Sequence, residues 1–448
     1  MNLMHEAGVP RSALQLLPGG GAVGAALSSD ARINGVAFTG STATAMKIKA
    51  SMATNCAPGT PLIAETGGLN AMVVDSTALP EHAVRDIVMS AFRSAGQRCS
   101  ALRCLYVQED IAEKLLAMLK GAIDELSIGD PWHLSTDIGP VIDAAALNVI
   151  DTHIEQARRE GRILHELARP AGGHFISPTV IKVNGIEDLE REIFGPVLHV
   201  ATFGAEELDT VIEAINRTGY GLTFGLHTRI DDRVQTIVEQ VHAGNVYVNR
   251  NQIGAVVGSQ PFGGEGLSGT GPKAGGPFYL PRFRNPQVAG AAGEWDGVAD
   301  LDALRAQLAA SHPGTVVAPP RDMPGPTGES NRLSLSPKGP VLCLGPGSAA
   351  AKAQAEAVAA LGGLAVIAEG SVPASAVSEL PNVANVIWWG DTETAREYEA
   401  SLARRAGPIT ALITSQPDAA HVLHERHVCI DTTAAGGNAA LLAEVAGA

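Results

Sequence analysis

Apolar and polar positions along the chain fall into short blocks of two kinds, and the two kinds alternate. Brief apolar runs at residues 33–39, 61–65, 71–75, 102–107, 198–203, 222–228 and 245–249 have the length and composition of buried strands. Between them the apolar spacing changes to the helical period. Ile111, Leu115, Leu119, Ile123 and Leu126 form one stripe behind Asp110, and Leu147, Ile150 and Ile154 form another in the stretch 144–160 that Gly161 stops. Helices are also expected over 42–52, 81–94, 206–218 and 231–241. Strands that alternate with helices make a largely parallel sheet, so the fold class is α/β.

The ends of the chain depart from this pattern. Residues 2–9 read as a helix end cut off by Pro10, and 13–17 as a short strand running into Pro18 and a glycine cluster. Gly19 to Gly24 fit G-x-G-x-x-G, but no strand–helix–strand unit surrounds them, so they are not read as a dinucleotide fingerprint. Residues 278–286 read as a strand and flap, and 289–339 as an Ala-, Gly- and Pro-rich linker with one helix at 301–310. A second alternation starts at Gly339, with strands at 341–344, 364–368 and 409–414 and a helix at 349–361.

Composition narrows the class. The 448 residues carry 32 Lys+Arg against 47 Asp+Glu, a net charge of −15, which disfavours a nucleic-acid or anionic-membrane surface. Five cysteines, an odd number without metal-ligand spacing, point to a reducing, cytoplasmic setting and to no metal site. The N-terminus shows no leader pattern, and no apolar run reaches membrane-spanning length.

The chemistry centres on Ala95-Gly96-Gln97-Arg98-Cys99-Ser100, which sets one thiol between a helix-period run and a strand-like run. A thiol attacks as thiolate, and a nearby cation lowers its pKa; Arg98 is a candidate for that cation. Alone, Cys99 reads as an inert buried thiol. A second site changes this: Ile63-Ala64-Glu65-Thr66-Gly67-Gly68 places a carboxylate at a strand end before two glycines, 34 residues ahead of Cys99. With Phe38-Thr39-Gly40-Ser41-Thr42 upstream and Glu192-Ile193-Phe194-Gly195-Pro196 downstream, these motifs in this order resemble the aldehyde dehydrogenase superfamily.

The resemblance implies an aldehyde dehydrogenase fold: a partial Rossmann-like cofactor domain (1–68), a catalytic thiol domain (69–250), an anchor loop with an oligomerisation flap (251–290), a linker (291–338) and a non-catalytic Rossmann-like α/β domain (339–448). It implies NAD as cofactor near Thr39, Gly40, Ser41 and Thr66, with Glu192 on the nicotinamide ribose and Phe194 on the ring. It makes Cys99 the nucleophile and Glu65 the base that activates water against a thioester. Residues 251–264, with the glycines at 269–277, resemble the aldehyde-anchor loop of L-glutamate γ-semialdehyde dehydrogenases. There Gly254, Ala255 and the Ser100 hydroxyl would bind the substrate carboxylate and Phe262 its stem. Without the family, Glu192 reads as a solvated charge and the loop as surface.

Residues 325–332 and 431–439 resemble the C-terminal region of the bifunctional proline utilization A family. That implies oxidation of L-glutamate γ-semialdehyde to glutamate in proline catabolism, a homo-oligomeric parent, and FAD only in a proline dehydrogenase part absent here. By that pattern the chain lacks upstream cofactor-domain strands and an oxyanion asparagine, so it is expected to be weakly active alone. Alternatives are an aldehyde dehydrogenase of other substrate, a non-catalytic lid or assembly fragment, and, more distantly, a cysteine hydrolase.

Overall fold

The computed structural model describes residues 1–284, 289–312, 314 and 317–433. The apolar runs become strands because both of their faces are covered: every residue of Ala71–Val74, Cys104–Gln108, Thr223–His227 and Asn245–Val248 is buried. Among the described residues they belong to a ten-stranded mixed sheet. Its order is Arg321–Met323, Glu329–Pro337, Leu423–Asp431, Asn245–Val248, Thr223–His227, Ala71–Val74, Cys104–Gln108, Val197–Phe203, Thr179–Lys182 and Ile163–Glu166. The central strands, from Leu423–Asp431 to Thr179–Lys182, run parallel, and the outer pairings at both ends are antiparallel.

One face of this sheet packs Met72, Leu105 and Leu198 under Ile87 and Phe92 of helix Pro80–Phe92, Leu115 and Leu119 of helix Glu109–Asp124, and Ile150 and Ile154 of helix Ala144–Arg159. The other packs Val73, Phe224 and Val246 against Ile212 and Ile215 of Leu208–Arg217 and Ile237 of Asp231–Gln240. Each such fully buried side chain contributes roughly 1.5–3 kcal/mol of burial free energy. The expected stripes are thus the faces that hold the sheet.

Ahead of the sheet, Val36–Thr39 and Leu62–Glu65 pair in parallel with Thr39 beside Glu65, joined through helix Thr42–Asn55. The last part of the chain forms a four-stranded parallel sheet, in the order Ala365–Ile367, Val341–Cys343, Asn385–Ile387, Ala411–Ile413. Its order reverses at Val341–Cys343, the place where parallel sheets open a ligand crevice beyond the strand ends. Here the chain fills it: Gly345 and Gly347 lie against Trp295 and Glu294, and the Trp295 indole donates to the Leu344 carbonyl at 2.8 Å.

Several expectations are corrected. Residues 13–17 form no strand. Helix Pro80–Phe92 stops two residues before Ser94. Residues 278–284 make one short helical turn, Leu280–Phe283, in place of a strand, and 285–288 lie outside the described residues. The expected linker contains Arg321–Met323 and Glu329–Pro337, which extend the ten-stranded sheet through Leu423–Asp431 from the end of the chain. Glu329–Pro337 alternates serines with Leu333, Leu335 and Pro337 over its second half, and only a distant neighbour gives that apolar side a surface to cover. The closing tail beyond Thr433 lies outside the described residues.

Candidate active site

Helix Pro80–Phe92 gives way to three residues with left-handed backbone, Ser94 (φ 57°), Ala95 (φ 53°) and Gly96 (φ 64°). That turn throws Gln97 to Ser100 across the strand ends. A side chain on Gly96 would overlap the Gly195 carbonyl, so glycine here lets the Glu192–Pro196 segment close on the thiol loop. Asn70, buried at the head of its strand, donates from Nδ2 to the carbonyls of Cys99 (2.6 Å) and Ala101 (2.9 Å), and its Oδ1 accepts the Thr223 N–H at 3.2 Å. Thr223 and Gln252 both donate to the Ser100 carbonyl. Cys99 is therefore clamped from three directions and left half-buried.

Burial, and after it the Glu192 and Glu65 carboxylates, push the Cys99 thiol above its ordinary range, while the N–H groups of Ser100 and Cys99 oppose the shift. Arg98 does not fill the role expected of it. Its Nε donates to Ser94 Oγ at 3.0 Å, and its Nη1 lies 3.9 Å from where a β-carbon on Gly254 would stand. The cation faces the anchor loop rather than the sulfur.

Glu65 ends its strand with its carboxylate inside the protein. Oε2 accepts the Gly264 N–H at 2.9 Å, and Oε1 is buried without a hydrogen-bond partner. Burial pushes the group up to about 8, against the pull of Gly264 and Lys273. A β-carbon on Gly263 would stand 2.8 Å from Oε1 and one on Gly269 3.1 Å away, so the glycines make the room this carboxylate occupies. Phe262 is half-buried and pairs with Ala274 through both backbone bonds (3.0 and 2.8 Å). Thr66 is buried, and its hydroxyl is committed to the Leu267 carbonyl at 2.6 Å.

Glu192 is brought to the same place by Arg103, a fully buried guanidinium. Arg103 Nη2 donates to Glu192 Oε1 (2.9 Å) and to the Arg98 carbonyl (3.0 Å), and Nη1 donates to the carbonyls of Gly96 (2.8 Å) and Gly195 (3.3 Å). The same cation lies 5.2 Å from the centre of the Phe194 ring, whose residue is 43% exposed. The Glu192 carboxylate fills the space beside Gly67 and is raised by burial, which outweighs Arg103 and the Gly68 N–H.

Thr39 and Gly40 are exposed at the strand end, with the Gly40 N–H on the Glu65 carbonyl at 3.1 Å. Ser41 caps helix Thr42–Asn55, accepting the Thr44 N–H at 3.2 Å, so its hydroxyl serves the helix and the exposed amides of the first turn remain for a ligand. Gly254 has left-handed φ (73°) and is exposed, while Ser100 is buried. Gln252 ties the root of the anchor loop to Ser100, and its own N–H is held by Ser90 Oγ at 3.1 Å. The Ser100 carbonyl is bonded by Thr223 and Gln252 rather than by Gly254 or Ala255.

The model of the aldehyde dehydrogenase family matches residues 1–288, more than half of the chain. The chain belongs to the aldehyde dehydrogenase family. It is 42% identical to the bifunctional protein PutA of Klebsiella aerogenes over 97% of this chain and 38% of that one. It is 40% identical to a 1-pyrroline-5-carboxylate dehydrogenase of Geobacillus over 62% of this chain and 55% of the relative. Among solved structures, PutA of Bradyrhizobium japonicum superposes with TM-score 0.62 at 54% identity, covering 63% of this chain and 29% of that one. The Thermus 1-pyrroline-5-carboxylate dehydrogenase with bound NAD gives 0.59 at 36% identity, covering 63% and 55%. The chain thus spans about two fifths of the PutA relatives it matches along its length.

Within this chain, the motifs do not single out Arg103 and Asn70 as the residues that assemble the thiol loop. Both were visible as polar residues at the ends of apolar strands, where a buried charge or amide needs partners. The motifs also leave out Lys273 and Glu425, buried beside Glu65, because their contact depends on strand pairing across the length of the chain.

Proposed function

We propose that the chain carries the active centre of an NAD-dependent L-glutamate γ-semialdehyde dehydrogenase, oxidising the semialdehyde to L-glutamate in proline catabolism. The observation that carries this reading is the joining of a clamped thiol and a buried, partnerless carboxylate oxygen in one electrostatic unit, with relatives named for PutA and 1-pyrroline-5-carboxylate dehydrogenase. The chain's residues fit the dinucleotide: open amides at the first turn after Ser41, a carboxylate at Glu192, and an exposed Phe194 face. Thr39, Gly40 and Ser41 would lie at the phosphates and Glu192 and Phe194 at the nicotinamide end; Thr66 would contribute backbone only. Bound NAD supplies a hydride acceptor. FAD is assigned to a proline dehydrogenase part that such bifunctional proteins carry elsewhere.

Burial keeps the free Cys99 thiol protonated at neutral pH, so its proton passes to solvent water as the new carbon–sulfur bond forms and the aldehyde C=O pair moves onto oxygen, where the N–H groups of Cys99 and Ser100 stabilise the negative charge. Loss of hydride leaves a thioester on Cys99. A water then attacks the acyl carbon, Glu65 Oε1 takes its proton, and the carbon–sulfur bond breaks to release carboxylate and thiol. Gly254, Ala255 and Ser100 would hold the substrate's α-carboxylate, with Arg98 facing the same loop, and Phe262 would cover its methylenes. The parent is proposed to be a homo-oligomer.

The test is NADH formation from L-glutamate γ-semialdehyde and NAD, by this chain and by a version extended upstream to the length of its PutA relatives. The extended version is expected to turn over and the present chain only weakly. Cys99→Ala is expected to abolish NADH formation, and Glu65→Gln to keep a burst while slowing turnover roughly 10²–10⁴-fold. Turnover that survives Cys99→Ala would refute the assignment.

A further inference from the structure

Glu65 does not sit alone in its chamber. The Gly263 carbonyl, one residue before the amide that holds Glu65, accepts a hydrogen bond from Lys273 Nζ, which also donates to Asn245 Oδ1 at 2.8 Å. Lys273 is 3% exposed. Its backbone N–H donates to Glu425 Oε2 at 2.8 Å, and Glu425 Oε1, like Glu65 Oε1, is buried without a hydrogen-bond partner. Glu425 belongs to Leu423–Asp431, the strand that returns from the end of the chain. A β-carbon on Gly276 would touch its carboxylate, so the glycine run after Lys273 makes room for it as Gly263 does for Glu65.

Lys273 and Glu425 are buried, and Glu65, half-buried as a residue, has its Oε1 withdrawn from water; the ammonium is tied to the Gly263 carbonyl next to the amide that holds Glu65, and each carboxylate has one oxygen left over. An isolated ion of this kind is costly to bury, and a neighbour of opposite sign decides whether it ionises. We propose that Lys273, flanked by Glu425 from the C-terminal strand, is the counter-charge that sets the ionisation of Glu65, so that the final strand of the chain governs how fast the acyl-thiol is hydrolysed. Lys273 and Glu425 are positioning residues, because they act on the reaction through Glu65. The inference rests on the functional reading above.

Other charged groups face the cluster. Glu265 and Arg426 act on Lys273, Lys338 acts on Glu425, and His424 and His427 stand on the same strand as Glu425. Glu65 feels Lys273 as a lowering influence and Glu425 as a raising one, with its own burial larger than both. The two neighbours should therefore shift it in opposite directions when removed. Loss of Lys273 raises the pH at which Glu65 becomes basic, and loss of the Glu425 charge lowers it.

Hydrolysis of p-nitrophenyl acetate tests this on the chain as it is, because Cys99 is acylated and deacylated without a dinucleotide. The burst of nitrophenolate reports acylation, and the steady rate after it reports water attack assisted by Glu65. In the unmodified chain the steady rate is expected to rise with pH through a midpoint near that of Glu65, about 8. Glu425→Gln is expected to lower the midpoint and Lys273→Met to raise it, each by about one pH unit, which is about tenfold in rate on the rising limb. Lys273→Arg should restore the original midpoint. Burst amplitude per folded protein should stay unchanged in all three. A merely structural role would reduce amplitude without moving midpoints in opposite directions. A Glu425→Gln midpoint that coincides with that of the unmodified chain would overturn the inference, even if Lys273→Met fails to fold. A missing burst, or one that survives Cys99→Ala, would overturn the thiol assignment and this inference with it.

Discussion

Arg103→Met isolates the guanidinium that assembles the site, because methionine keeps the length and apolar body of the side chain and removes the five donors. In the native chain those donors meet Glu192 Oε1 and the carbonyls of Gly96, Arg98 and Gly195 at 2.8 to 3.3 Å. Removing one partner of a buried pair costs about 3–5 kcal/mol, since the carboxylate left behind is neither solvated nor matched. Glu192 keeps some exposure, 18% of its side chain, which places the loss toward about 3 kcal/mol. The cost is local: it falls on residues 94–101 and 192–197, where the orphaned groups lie. Peptide-resolved hydrogen exchange should show opening there enhanced roughly a hundredfold, with the sheet peptides over Ala71–Val74 and Cys104–Gln108 little changed. Arg103→Lys should recover only part, because a point charge on a flexible stem cannot span four acceptors. Exchange that rises equally everywhere, or not at all in the two segments, would refute the view that Arg103 couples the thiol loop to the Glu192 motif.

Two further outcomes follow from the geometry. Gly96→Ala should destabilise the thiol loop by more than about 2 kcal/mol, since it adds a side chain at left-handed φ and drives it into the Gly195 carbonyl; denaturant unfolding checks it, and a change within about 0.5 kcal/mol would contradict the close approach. Burial holds His199, His227 and His427 down to about 3 and His424 to about 4, from an ordinary 6.5. Between those values the unfolded chain binds more protons than the folded one, so stability should fall as pH drops from about 6.5 towards 4, by up to about 1.4 kcal/mol per pH unit for each group. Urea midpoints measured across that range should decline with acid, and midpoints constant down to pH about 4.5 would contradict neutral burial of these rings.

The sequence by itself determined the alternation of strands and helices, the positions of Cys99 and Glu65, and the motifs at Gly40, Glu192 and Gly254. It could do so because each is written locally, in apolar spacing or in a residue type that only one backbone or one chemistry uses. Helix Leu301–Ala310 follows directly from such spacing, and so do most of the parallel strands, but Thr179–Lys182, Asn385–Ile387 and Leu423–Asp431 are not expected from it. What only the tertiary structure decided is who faces whom. Arg98, next to the thiol in sequence, has its guanidinium on the Ser94 hydroxyl and beside Gly254 of the anchor loop. Arg103, five residues on, reaches back to hold the left-handed turn at Ser94 to Gly96. Thr66 and Ser41 carry hydroxyls in the right motifs, yet both spend them on the backbone. The strand holding Glu425 pairs with Glu329–Pro337 and Asn245–Val248, and only that pairing sets the Glu425 carboxylate on the Lys273 N–H. Local periodicity reports which side of an element is apolar, but the ionisation of Glu65 responds to its burial and to Lys273 and Glu425, both far along the chain from it.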